Sequence, residues 1–145
     1  MMNELNESAS FLKAAIKNKP LVGVVLGSGL GDLVKEMEVE TEVAYKDIPH
    51  FPISTVKGHS GKLSFGKLGG KDAVIMQGRF HYYEGYSMQE VVFPIRVMKL
   101  LGVETIFITN ASGGLNPEIK VGELCVITDH INLQPEHPLR GKNID

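Results

Sequence analysis

The sequence predicts an α/β fold built on a β-sheet with an antiparallel portion. Three observations carry this. Residues 21–26 (LVGVVL) form a continuous apolar run that ends in glycines, and residues 103–109 (VETIFIT) form a second such run. Their length and β-branched content read as strands buried on both faces, as in a parallel sheet. Between them lie a hairpin pattern and a helical pattern, so strands alternate with helix along the chain.

Each element has its own local cause. Leu5, Ala9, Leu12 and Ile16, with Phe11 and Ala15 beside them, recur at helical spacing before Pro20 stops the run. Leu63 and Phe65 alternate with polar neighbours, Gly69 and Gly70 offer a turn, and residues 73–76 read as the returning strand. From Ser87 the period turns helical. Ser87 and Glu90 have the capping-box spacing, in which hydroxyl and carboxylate each satisfy an orphan amide. Val91, Ile95, Met98 and Leu101 then repeat, with Gly102 as terminator and Pro94 as an expected kink. Residues 123–128 read as a third strand, and the polar stretch 134–145 carries two prolines.

Composition narrows the function classes. The chain has 145 residues, 43% hydrophobic and 22% charged, which fits one globular domain or a piece of one and argues against disorder. With 15 Lys+Arg against 17 Asp+Glu the net charge is −2, too balanced for a nucleic-acid footprint. Cys125 is the single cysteine, so no disulfide framework is possible. No apolar run approaches the ~18 residues of a membrane span. The first twenty residues lack the basic-then-apolar order of a secretory signal. A soluble, cytoplasmic protein without nucleic-acid or membrane partners is expected.

Two glycine clusters imitate nucleotide sites. Gly27, Ser28, Gly29, Leu30, Gly31 and Asp32 follow a strand, but a dinucleotide fingerprint needs glycine where Asp32 stands. Asp47 has roughly the spacing of a ribose-binding acid, yet Ile48-Pro49-His50-Phe51-Pro52 does not continue a βαβ unit. What survives is bare backbone amides beside the Ser28 hydroxyl, suited equally to an anion and to a tight turn with nothing bound. Residues 61–67 fit G-x-x-x-x-G-K, but Leu68 replaces the hydroxyl that would hold magnesium, and Leu63 and Phe65 alternate as in a strand.

The densest chemistry is Gly78-Arg79-Phe80-His81-Tyr82-Tyr83-Glu84-Gly85-Tyr86, between a strand and a helix. That is the crevice side of an open α/β sheet. Arg79 offers a planar fork of donors for phosphate. His81 titrates near neutrality and Glu84 can orient it. Tyr83 offers a ring face and a hydroxyl to a sugar. The plain alternative is a solvated turn with an incidental ion pair. A metal reading of His81 and Glu84 fails for want of a second nearby histidine. The small residues of Asn110-Ala111-Ser112-Gly113-Gly114 let a flat ligand approach the backbone. His59 adds a candidate phosphate donor, although a lone loop histidine is more often just exposed.

Together VVLGSGLG, IPHFPISTVKGHSGKLSFG, GRFHYYEGY, TNASGGLNP, DHINL and HPLRG resemble, in order, the N-terminal half of a trimeric-type purine nucleoside phosphorylase. The resemblance covers nearly the whole chain from residue 21. It implies a mixed β-sheet flanked by helices, with residues 1–145 as the N-terminal part of a single domain. It also implies phosphorolysis of purine ribo- and deoxyribonucleosides to free base and pentose 1-phosphate, a purine-salvage transferase reaction. Carried over by motif, Ser28, His59, Arg79, Phe80, His81 and Ala111 would bind phosphate, and His81 with Glu84 would form the catalytic pair. Tyr83 would contact ribose, and Ala111, Ser112 and Gly113 would line the purine pocket, with Ser112 standing where related chains carry Ala. The resemblance implies orthophosphate as co-substrate, no cofactor, no metal and a homotrimer.

In that family the groups that read and protonate the base lie beyond position 145. The fold is therefore expected to be incomplete at its C-terminus, and the 145 residues alone to be inactive. Two alternatives stand beside this reading: a methylthioadenosine phosphorylase of the same superfamily, disfavoured by Tyr83-Glu84-Gly85-Tyr86, and a non-catalytic fragment that binds phosphate or a partner subunit.

Overall fold

The computed structural model describes residues 1–53 and 61–141. Among these, two helices and five strands form one mixed sheet. In chain order they are α1 (Met2–Ala15), β1 (Val22–Val25), β2 (Met37–Ala44), β3 (Lys62–Leu68), β4 (Lys71–Gln77), α2 (Met88–Leu101) and β5 (Thr105–Ile108). The strand order is β2-β3-β4-β1-β5. β2, β3 and β4 run antiparallel, whereas β4, β1 and β5 are mutually parallel. The α/β class and the mixed sheet follow the sequence pattern.

The hairpin turns at Gly69 and Gly70, whose φ angles of 56° and 75° are both left-handed. A two-residue connection of that hand matches the twist of the flanking strands. α2 begins at Ser87, where both reciprocal bonds of the capping box form, and ends at Gly102 with φ 108°. Pro94 is buried inside α2, which runs unbroken from Met88 to Leu101.

Alternation divides the sheet into two faces. Leu63, Phe65, Val74, Met76 and Val25 turn to α1 and α2, where Leu5, Ala9, Leu12, Val97, Met98 and Leu101 complete the main core. Val24, Leu26, Met37, Ala73 and Ile75 form a smaller cluster on the other face. There the 3₁₀ segment Gly31–Glu36 lends Val34. α1 is also fastened to the chain that follows β2: the buried Ser8 hydroxyl donates to the Pro49 carbonyl (2.6 Å), and Glu7 pairs with His50 (2.6 Å).

Two expectations change. Residues 103–109 yield a shorter β5 that sits at the sheet edge with β1 as its neighbour. Phe107 and Ile108 are therefore 56% and 66% exposed instead of buried. Residues 123–128 form no strand, because a strand exists only through ladder bonds and this segment has none among the described residues. Conversely, β2 was not expected. No helix among the described residues is long and apolar enough to cross a membrane.

On the smaller face, Ser64 is fully buried; its hydroxyl donates to Glu42 (2.9 Å) and accepts from the Gln77 side chain (2.6 Å). Lys62 adds an ion pair to Glu42 at 2.7 Å. Hydrogen bonds from Lys62 and then Ser64 hold the Glu42 carboxyl below its usual value of 4.5. A depressed carboxylate contributes stability that is present above its unfolded pKa and lost as pH falls through the folded one. Ser64→Ala should destabilise the fold by about 0.5–1.5 kcal/mol at neutral pH, since it removes the hydrogen bonds of a buried hydroxyl. Urea unfolding should show this gap narrowing as pH falls through the lowered folded-state pKa of Glu42. A gap independent of pH would mean that Glu42 does not contribute through this network.

Candidate functional site

Parallel pairing brings three chain segments to one edge of the sheet. Val25 of β1 lies beside Met76 of β4 and Ile108 of β5. The turns that follow (Gly27–Ser28, Gly78–His81 and Thr109–Ala111) therefore leave the sheet side by side, where open α/β sheets bind ligands.

The turn after β4 is fixed from below by aromatic rings. Phe80 is 4% exposed and packs on Tyr45 (ring centroids 5.5 Å apart) and edge-on to Tyr86 (5.3 Å). The buried Tyr45 hydroxyl donates towards the Gln77 (3.1 Å) and Gly78 (2.6 Å) carbonyls, both at the end of β4. Burial pushes its pKa well above the usual tyrosine range, so it remains a donor. Tyr86 reaches across to the Ile53 carbonyl at 2.7 Å.

Above the rings runs a polar chain. Arg79 donates through Nη1 to the Thr109 carbonyl (3.0 Å) and through Nε to Nε2 of His81 (3.1 Å). His81 Nδ1 in turn is bonded to Glu84. An arginine N–H only donates, so Nε2 of His81 is the acceptor and Nδ1 carries the proton given to the carboxylate. This defines a neutral imidazole braced on both sides. Tyr83, 82% exposed, stacks on that imidazole with centroids 4.8 Å apart.

The neighbouring turns join through Thr109. Its hydroxyl accepts from the Gly27 N–H (3.0 Å) and donates to the Val25 carbonyl (3.0 Å). The structure thus brings together the Ser28 turn, Arg79, His81, Glu84 and the backbone leading to Ala111. Ser28, Ala111, Ser112 and Gly113 are exposed, and Ser112 donates to the Gly113 carbonyl at 3.3 Å. Phe80 spends its side chain in the core, so it has only its backbone to offer an anion. His59 lies outside the described residues. Among the described residues no group of three or more His, Cys, Asp or Glu is arranged to hold a metal ion. Sequence reasoning missed Tyr45 and Thr109. A hydroxyl closing an apolar strand just before a small-residue loop was the available signal for Thr109; Tyr45 had none.

Known proteins resemble the chain over most of its length. The family profile of the phosphorylase superfamily matches residues 21–145. Over 143 residues the chain is 51% identical to purine nucleoside phosphorylase 1 of Bacillus subtilis, covering 99% of this chain and 53% of that protein. It is 50% identical to purine nucleoside phosphorylase of Rattus norvegicus over 143 residues, covering 97% and 50% respectively. Isoform 2 of purine nucleoside phosphorylase from Schistosoma mansoni, solved in complex with cytosine and ribose-1-phosphate, matches the fold with a TM-score of 0.78. Identity there is 47%, over 83% of this chain and 42% of that one. The chain spans about half the length of the curated relatives it matches.

The bond pattern makes a direct spectroscopic prediction. In long-range proton–nitrogen spectra at neutral pH, Nδ1 of His81 should resonate as a protonated ring nitrogen and Nε2 as an unprotonated one. Glu84→Ala should erase that preference. A proton found on Nε2 in the unmodified chain would refute the arrangement.

Proposed function

The chain belongs to the phosphorylase superfamily, and on that premise we propose that it carries the phosphate- and ribose-binding part of a purine nucleoside phosphorylase. Residues 1–145 are then the N-terminal part of one phosphorylase domain. The observation that carries the reading is the Arg79–His81–Glu84 chain, joined through Thr109 to the Gly27–Ser28 turn.

The reaction under this reading is the attack of an orthophosphate oxygen on the anomeric carbon of a purine nucleoside. The new C–O bond forms as the bond to the purine nitrogen breaks, and its electron pair leaves with the base, which takes up a proton. Two Arg79 donors are used within the protein, and its remaining N–H groups face an incoming anion as a charged fork. Ser28 with its turn amides, the Ala111 backbone, the Phe80 backbone and His59 complete the phosphate set. Holding the dianion under the sugar turns a bimolecular encounter into an oriented one. Its charge also stabilises the positive character that the sugar acquires. Tyr83 offers its exposed ring to the ribose, and Ala111, Ser112 and Gly113 edge the base. His81 and Glu84 act as one unit that keeps Arg79 aimed. The protein would work in the cytoplasm as a homotrimer, with orthophosphate as co-substrate and no cofactor.

Orthophosphate-dependent release of hypoxanthine from inosine tests the reading, with the chain joined to the second half of the Bacillus subtilis relative. Base release that ignores orthophosphate would overturn it. In the same protein Arg79→Ala should raise the phosphate KM by about tenfold to a hundredfold, the equivalent of roughly 1.5–3 kcal/mol for a lost charged hydrogen bond. An unchanged phosphate dependence removes Arg79 from the site.

A double-mutant cycle separates brace from bystander. Because His81 and Glu84 form one bonded unit, losing both should slow turnover little more than losing either. Penalties that simply add would show that the two act apart.

A further inference from the structure

On the reading of the three strand ends as an orthophosphate cradle, we infer that Thr109 is the positioning residue that sets the cradle's geometry. Every polar atom of Thr109 is committed, and together these bonds tie the end of β1, the Gly27 turn and Arg79. Its N–H donates to the Val25 carbonyl at 3.1 Å, continuing the parallel ladder one step beyond β5. Its hydroxyl donates to the same carbonyl at 3.0 Å and accepts the Gly27 N–H at 3.0 Å. Its own carbonyl receives Arg79 at 3.0 Å. The next residues are Asn110 and Ala111, so one side chain sets the spacing between the Ser28 turn, the Arg79 fork and the Ala111 backbone.

The fit is close enough to dictate its neighbour. A Cβ on Gly27 would lie 2.6 Å from the Thr109 carbonyl oxygen and 2.7 Å from the Asn110 Cα. The two turns therefore touch backbone to backbone, and the hydroxyl is the only side-chain group of Thr109 able to serve both Val25 and Gly27. Valine has the same shape but neither donor nor acceptor. Serine keeps both functions and loses only the methyl group that limits its rotamers.

The test titrates the 145-residue chain with inorganic phosphate by calorimetry, beside Thr109→Val, Thr109→Ser and Arg79→Ala, with melting temperature recorded for each. Thr109→Val should weaken phosphate about five- to tenfold through loss of the hydroxyl's two bonds, and Thr109→Ser should stay within about twofold. Thr109→Val binding like the unmodified chain while Arg79→Ala binds poorly overturns this inference and leaves the phosphate reading intact. Serine failing to restore binding overturns it too, because the hydroxyl would not be the cause. No phosphate uptake by the unmodified chain, or none lost in Arg79→Ala, overturns the phosphate reading and this inference with it. A second measurement needs no variant: the Gly27 amide should exchange slowly with solvent and more slowly still with phosphate bound. A freely exchanging Gly27 amide overturns the assignment.

Discussion

The burial of Phe80 governs the rest of the site. The backbone at His81 is extended, with φ −112° and ψ 140°, so its side chain points away from that of Phe80. Sinking Phe80 between Tyr45 and Tyr86 turns Arg79 and His81 to the other side together, where Nε and Nε2 meet. Burying a phenyl ring stabilises by about 1.5–3 kcal/mol. His81 is 27% exposed and Glu84 12%. Their contact refines a geometry that the apolar anchor has already imposed.

A parallel sheet creates a second demand at the same edge. The ladder runs out at the strand ends, where backbone groups need other partners. The structure answers with hydroxyls. Tyr45 serves the Gln77 and Gly78 carbonyls, Thr109 serves Val25 and Gly27, and no buried side-chain polar atom among the described residues lacks a partner. Net, such a bond adds about 1 kcal/mol, but leaving its partner unpaired costs about 1–3 kcal/mol. Misplacing any of these turns is therefore penalised, and the functional groups inherit that rigidity. The core and the candidate site are specified by the same residues.

How much of this was legible depended on whether the cause was local. The capping box, the Gly69–Gly70 turn and the run 21–26 are written in adjacent residues, and all three formed. β2 was also local, with Met37, Val39, Thr41 and Val43 alternating with Glu38, Glu40 and Glu42. A register shift between Val39 and Thr41 breaks the alternation of partners, and three glutamates make the stretch look like solvated loop. For β5 the apolar content spoke of burial, yet exposure is set by place in the sheet order, which composition does not encode. The polar cluster 79–84 was readable because its members lie close in sequence. Thr109 and Tyr45 meet their partners across 84 and 33 residues, a distance over which spacing carries no signal.

The charges at the site set what it can hold. Arg79 and Glu84 carry opposite signs, with the His81 imidazole bonded between them. With its proton on Nδ1, His81 satisfies Glu84 and turns its lone pair to the guanidinium, so the carboxylate's influence arrives as orientation and not as repulsion. Among the described residues of the three turns, Arg79 is the one cation, beside the Ser28 turn. That favours a compact, multiply charged oxyanion, which can take several donors at once, over a single carboxylate.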